Sequence, residues 1–243
     1  MNVNYHMKNK LPNILIFLFC SLIGSSQTTG DLVDIEQQNI KTWKTDKEKY
    51  YGTYSFGFSE NESELRIFGN DTITIAQHKY ISWNGKGWDK KYITFTNVKI
   101  NDSKFYSDQY NGVFIKFKTY DEGEIIEGLH LEKYLTFQYR GKNEKGGEIG
   151  NKNKTYIEGK YPKSSTSILS YNYLNSLNID KLNIMRNEIF ARYGYKFKEG
   201  GKMNNYFSNQ DWYYGQNKNV NELLTIIERK NIIRIKQIEK EKR

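Results

Sequence analysis

Arg186, Glu188, Arg192 and Tyr193 fall within one short run, residues 184–197, which reads IMRNEIFARYGYKF. Glu188 and Arg192 are one helical turn apart, in the order that favours an i,i+4 ion pair. Arg186 is four residues after Leu182 and four before Phe190, so helical geometry turns it toward an apolar side. A guanidinium in that position must be paired within the fold or must hold an anion. Pairing with a carboxylate from later in the chain, Glu228 first and Asp211 second, is the ordinary outcome. The functional one is a two-pronged grip on a ligand carboxylate or phosphate. Glu188 would need a polar partner in a cleft to act as acid or base, and its ordinary role is a surface bridge to Arg192. Tyr193 stays protonated near neutral pH, so it packs and donates one hydrogen bond.

Aromatic residues form the second group. Trp212 and Tyr213, with Tyr195, Tyr206 and Phe207, suit either a staple between helices or a platform for a sugar ring. Trp83 and Trp88 flank an Asn-Gly-Lys-Gly turn, as a cross-strand pair or an exposed glycan-binding edge. The candidate ligand-binding residues are therefore Arg186, Glu188, Arg192, Tyr193, Trp212, Tyr213 and Trp88, and no residue is assigned a catalytic role. His78 and His130 have no metal-ligand spacing around them, so no metal is expected. No serine nucleophile motif, phosphate loop or zinc-binding helix occurs, and no cofactor is expected.

The run 184–197, followed by Tyr206-Phe207, Trp212-Tyr213 and a segment with Glu228, Asn231 and Ile232, resembles the YARHG domain. This is a small extracytoplasmic bacterial module, and its signature here reads FARYG, Phe190 to Gly194. The resemblance covers the last third of the chain. It implies an exported envelope protein and implies no reaction. The family signature has histidine where this chain has Tyr193, so a general base at that position would be lost here.

The elements that must position these groups divide the chain in two. From about residue 43 to 139, short runs of β-branched and aromatic residues alternate with polar ones: 49–58, 63–68, 72–77, 91–100, 104–107, 112–119 and 134–139. Tight turn signals separate them, such as Gly69-Asn70-Asp71 and Asn111-Gly112. The glycine-rich stretch 141–154 reads as a long hairpin loop or linker tip, and 155–160 as a returning strand. Beyond Tyr161-Pro162 the spacing is helical. Ser170 and Asn178 are N-caps, Asp180 is in a first turn, and Gly194 suits a left-handed helix end. Leu182, Met185, Ile189, Phe190 and Leu223 should form the core, and a last helix should run over 222–239. The expected fold is α+β: an antiparallel β sandwich or small barrel over 27–160, then a small all-helical module over 161–243.

Residues 1–26 read as a signal peptide. Lys8 and Lys10 precede an apolar run over 11–23, and Gly24 and Ser26 fit a cleavage site before Gln27. Cys20, the single cysteine, lies inside that run after Phe19, which argues against lipidation. The net charge is +9, yet it is not evenly spread. Residues 27–160 hold 20 basic and 20 acidic side chains, and residues 161–243 hold 15 against 8. No nucleic-acid motif accompanies the basic module, so an anionic envelope surface is the expected counter-charge. The function expected is that of an exported, periplasmic or extracellular protein without catalysis, binding a glycan, a peptidoglycan fragment or a protein partner, with no membrane span once the signal is removed. The alternatives are an envelope-directed hydrolase with Arg186 and Glu188 in its site, and a lipocalin-like carrier of a small ligand.

Overall fold

The computed structural model describes residues 40–57, 62–118, 125–136 and 147–243. The segment expected to be a signal peptide, the end of the strand expected at 134–139 and the start of the glycine-rich stretch lie outside the described residues. Ten strands make one antiparallel sheet: β1 (Lys41–Thr42), β2 (Gly52–Phe56), β3 (Ser63–Gly69), β4 (Thr74–Trp83), β5 (Trp88–Thr94), β6 (Lys99–Asn101), β7 (Lys104–Tyr106), β8 (Gly112–Lys118), β9 (Ile125–Leu131) and β10 (Glu148–Asn153). Five α-helices follow among the described residues: α1 (Lys163–Thr166), α2 (Tyr171–Asn175), α3 (Ile179–Arg192), α4 (Lys202–Phe207) and α5 (Ile226–Glu241). The α+β class is as the periodicity requires.

The strand order is β5-β4-β3-β2-β10-β9-β8-β7-β6, with β1 paired to β8. Two meanders are thus joined through β2 and β10. The sheet curls, because rings from both wings share one core: Tyr54, Phe56, Leu65, Phe95, Phe105, Phe114 and Leu129. The wings also touch where the Asp108 N–H donates to the Thr96 carbonyl at 3.0 Å. Tyr50 stacks on Phe114 with centroids 4.2 Å apart, and its hydroxyl donates to the Trp43 carbonyl at 2.8 Å. The interior is filled by aromatic side chains.

β10 corrects the glycine-rich reading. Residues 148–153 lie in the middle of the sheet, paired with Phe56-side residues of β2 and with β9. The stretch is poor in apolar side chains because its neighbours cover it. A Cβ on Gly150 would sit 2.4 Å from the Phe56 ring. Residues 155–160 are irregular rather than a strand, and the run 91–100 is broken between β5 and β6, with Asn97 at φ 54°.

The helices start and stop where their caps are. The Ser170 side chain accepts from the Tyr173 N–H and that of Asn178 from the Lys181 N–H, and Gly194 has φ 68° just beyond α3. Leu182, Met185, Ile189, Ile235 and Ile238 are buried together, while Phe190 and Leu223 are only partly covered. The last helix begins four residues later than expected, because Thr225 and Glu228 form a capping box. Residues 221–223 form a separate 3-10 turn instead.

The module rests on β4 and β5. The Gln216 amide donates to the Lys90 carbonyl at 2.8 Å and accepts from the Lys90 N–H at 3.2 Å. That covers part of the β5 edge, whose free groups would otherwise invite another strand.

Within β4, His78 is buried and stacked on Tyr80, and its Nε2 has no hydrogen-bond partner among the described residues. Burial holds its imidazole down to about 4 from an ordinary 6.5. The unfolded chain takes up a proton near pH 6.5 and the folded one only near pH 4, so acidification favours unfolding. Stability from His78 is complete above pH 6.5 and falls by about 3 kcal/mol on the way to pH 4. Chemical denaturation across that range should show His78→Leu flattening the decline by this amount; parallel curves would show that His78 charges freely in the fold.

Candidate functional site

Glu188 and Arg192 project from the same side of α3, one turn apart, and both are buried. The Glu188 carboxylate accepts from the backbone N–H groups of Lys160 and Tyr161, each at 2.7 Å, and from Arg192 Nη2. Arg192 uses its other nitrogens on the same strap of chain. Nε donates to the Glu158 carbonyl at 2.7 Å, and Nη1 donates to Ser164 Oγ at 2.9 Å and Ser165 Oγ at 2.8 Å. Gly159 makes this approach possible. Its φ is 98°, and a Cβ there would lie 2.4 Å from Glu188 Cδ. The ion pair expected at the surface is therefore an internal clamp. Its physical reason is that segment 158–165 folds over α3 and excludes water from the pair.

Glu228 is the second buried carboxylate. It accepts from Ser165 Oγ at 2.6 Å, Tyr193 Oη at 2.8 Å, the Thr225 N–H at 2.8 Å and Thr225 Oγ1 at 2.9 Å. Burial pushes its carboxyl up, against the four donors that favour the charged form. Burial pulls the Arg192 guanidinium down, with Glu188 and Glu228 opposing. Tyr193 receives a hydrogen bond from Gln77 Nε2 at 3.0 Å, so a chain of donors runs from β4 through Tyr193 to Glu228. Burial and the nearby Glu228 hold the Tyr193 hydroxyl well above its ordinary range, so it stays protonated as expected. Tyr92 completes the seam: its hydroxyl donates to the Arg192 carbonyl at 3.1 Å, and its ring meets Tyr193 edge-on at 4.8 Å.

Beside this cluster, Arg66 of β3 and Lys79 of β4 both face Glu64 and Glu158. Burial pushes Glu158 up, yet Lys79 and Arg66 outweigh it and hold the carboxyl low. The cavity at the centre, walled by Arg66, Tyr92, Arg192, Tyr193 and Glu228, has a volume of about 20 Å³. That is room for one water and not for a sugar ring.

Arg186 is elsewhere. Its Nε donates to Glu239 Oε1 at 3.1 Å and Oε2 at 3.0 Å, and Nη2 donates to Asn183 Oδ1 at 2.9 Å. The expected partner Glu228 is thus replaced by Glu239, three turns further along α5. Glu228 is at the opposite end of that helix because it caps it. Trp212 and Tyr213 gather round Phe207, at 6.0 and 5.8 Å, and Tyr213 Oη donates to the Tyr195 carbonyl at 2.7 Å. Both are half-buried, in the staple arrangement. Trp88 is directly opposite Trp83 across the β4–β5 hairpin, edge-on at 5.5 Å, and the two are 48% and 56% exposed. The cross-strand pairing is as expected, and both rings are open to solvent.

A larger opening adjoins the strap. A groove of about 690 Å³ is lined by Lys160, Tyr161, Lys163, Ile168, Tyr173 and Met185, among others. Of these only Met185 was singled out from sequence, as a core residue, and none as a ligand contact. Tyr161-Pro162 read only as the boundary between the two parts of the chain. The one readable signal for Glu228 was Thr225-x-x-Glu228 ahead of an apolar run. Among the described residues, no three His, Cys, Asp or Glu side chains are grouped as a metal ion needs, and no helix is long and apolar enough to cross a membrane.

A capped helix whose Glu188 and Arg192 hold down the preceding strap, with a tyrosine reaching a second buried glutamate, defines a small helical module set on a curled sheet. Residues 158–240 match the model of the YARHG domain, and the C-terminal third of this protein is a YARHG domain. No curated protein and no solved structure matches the chain.

The clamp makes a measurable demand. Glu188→Gln and Arg192→Met should each lower stability by about 3–5 kcal/mol, since each strands a buried charge. The double variant should cost clearly less than the sum. Additive losses in a denaturation cycle would mean the two groups do not act as a pair.

Proposed function

We propose that this is an exported cell-envelope protein that binds a glycan or peptidoglycan fragment without catalysis, through the groove bounded by Lys160, Tyr161, Lys163 and Tyr173. The carrying observation is the contrast in size at the YARHG signature. The polar cluster around Glu188 has a 20 Å³ cavity, whereas the neighbouring groove has 690 Å³, within the range of ligand sites. Tyrosine faces suit a sugar ring, and lysines suit carboxylates on the ligand. Glu188 and Arg192 support the groove from behind in this reading, Glu188 holding the backbone of Lys160 and Tyr161 and Arg192 the hydroxyl of Ser164, while Tyr193 ties the module to the sheet. Arg186 and the Trp212–Tyr213 pair stiffen the module. The exposed Trp83–Trp88 hairpin offers a second contact for an extended polymer.

Two observations weigh against the alternatives. A hydrolase needs Glu188 beside a substrate, and its oxygens are taken by two N–H groups and a guanidinium. A lipocalin-like carrier needs an empty sheet interior, and Tyr50, Tyr54, Phe56, Phe105 and Phe114 occupy it. Export rests on the N-terminal reading and on the extracytoplasmic character that the YARHG resemblance implies.

Co-sedimentation with purified peptidoglycan tests the reading. Tyr173→Ala combined with Lys163→Gln should weaken retention about tenfold, as loss of a central contact does, and Trp88→Ala should weaken it less. Retention that is unchanged in the groove variant would remove the groove from the site. The division near residue 160 belongs to the same proposal, with the Gln77–Tyr193–Glu228 chain coupling the two units. Calorimetry should then give one unfolding transition, and two resolved transitions would argue for independent units.

A further inference from the structure

On the sheet's far wing, β1 sets Lys41 directly opposite Lys116 of β8. Side chains directly opposite in an antiparallel pair are on one face and about 5 Å apart at Cβ, and like charges there are destabilising. β1 is only two residues long and the fold does not need lysine in it. Next along the chain is Trp43, which is buried. The ammonium of Lys152 is 4.6 Å from its ring centroid and that of Lys116 is 5.4 Å away. Both ammoniums share a single carboxylate, Glu127, at 3.3 and 3.5 Å. Lys41, Lys44 and Lys118 line the same groove, of about 460 Å³, and make no ion pair among the described residues. Phe117 and the exposed Ile125 give it an apolar flank.

We propose that this groove is a binding site for a ligand carrying more than one phosphate group. All the cations are lysines. A compact ammonium meets a tetrahedral oxyanion from any side, whereas a planar carboxylate is the better match for an arginine fork. Three ammoniums without counter-charge among the described residues exceed what one phosphate neutralises. The Lys41–Lys116 repulsion is relieved when such a ligand bridges the pair. The site shares no residue with the Tyr161–Tyr173 groove, so either reading can fail alone.

The test uses the full chain with three probes: tripolyphosphate, inorganic phosphate, and phosphatidylglycerol vesicles against phosphatidylcholine vesicles. Tripolyphosphate should raise the melting temperature and bind in calorimetry, more tightly than inorganic phosphate and less so as salt increases. Lys41→Gln should raise the melting temperature of the free protein, because a repulsion is gone. It should also weaken tripolyphosphate binding about tenfold, the loss of one good charged contact. Lys230→Gln, exposed on α5, changes the net charge equally and should do neither. Binding to the anionic vesicles with the same Lys41 dependence, and not to tripolyphosphate, would support the site and identify its phosphates as lipid headgroups. Absence of binding in every arm, or equal loss in the Lys41 and Lys230 variants, would overturn it.

Discussion

Burying Glu188 and Arg192 together is the constraint on which the helical module depends. Each charge loses several kcal/mol of hydration, and only a complete set of partners restores it. Glu188 gets two backbone N–H groups and a guanidinium, and Arg192 gets a carbonyl and two hydroxyls. All of these come from the strap 158–165 or from α3 itself. The pair therefore does for this module what a disulfide does in other small domains: it ties an irregular strap to a helix. The strap in turn brings Ser165 to Glu228 and the Ser164 carbonyl to Asn231 Nδ2 at 2.8 Å.

The same network crosses to the sheet. Gln77 and Tyr92 are on neighbouring strands, and both reach the end of α3, at Tyr193 and Arg192. A polar seam of this kind is directional. It specifies one docking orientation more sharply than apolar contact alone, since a shifted module would leave the Tyr193 hydroxyl without Gln77 and the Arg192 carbonyl without Tyr92. The FARYG sequence thus reads as a joint: arginine inward to the strap, tyrosine across to the sheet, glycine to end the helix. Tyrosine in place of the family's histidine fits that role, because its hydroxyl spans from Gln77 to Glu228.

The outward features are of another kind. The tyrosine and lysine groove, the Trp83–Trp88 hairpin and the lysine groove over Trp43 all expose groups that the fold does not require. They are distributed over the surface of a molecule whose interior is filled, both in the sheet and at the signature.

Local order in this chain was legible where single residues decide it. Ser170, Asn178 and Gly194 mark helix ends by their own backbone and side-chain chemistry, and most early strands follow from two-residue alternation. β10 was not legible, because Gly150 owes its place to the Phe56 ring from a strand almost a hundred residues earlier. Arg186 was read correctly as paired, since inward position and charge demand it, but its partner was misassigned. Choosing Glu239 over Glu228 depends on how far α5 slides along α3, which no local pattern encodes. Class, capping and the i,i+4 relation of Glu188 to Arg192 thus came from sequence alone, since covalent neighbours determine them. Burial of that pair, the reach of Tyr193 to Gln77, and the grooves were decided by tertiary structure, because each is made by segments apart in sequence that meet only in the folded chain.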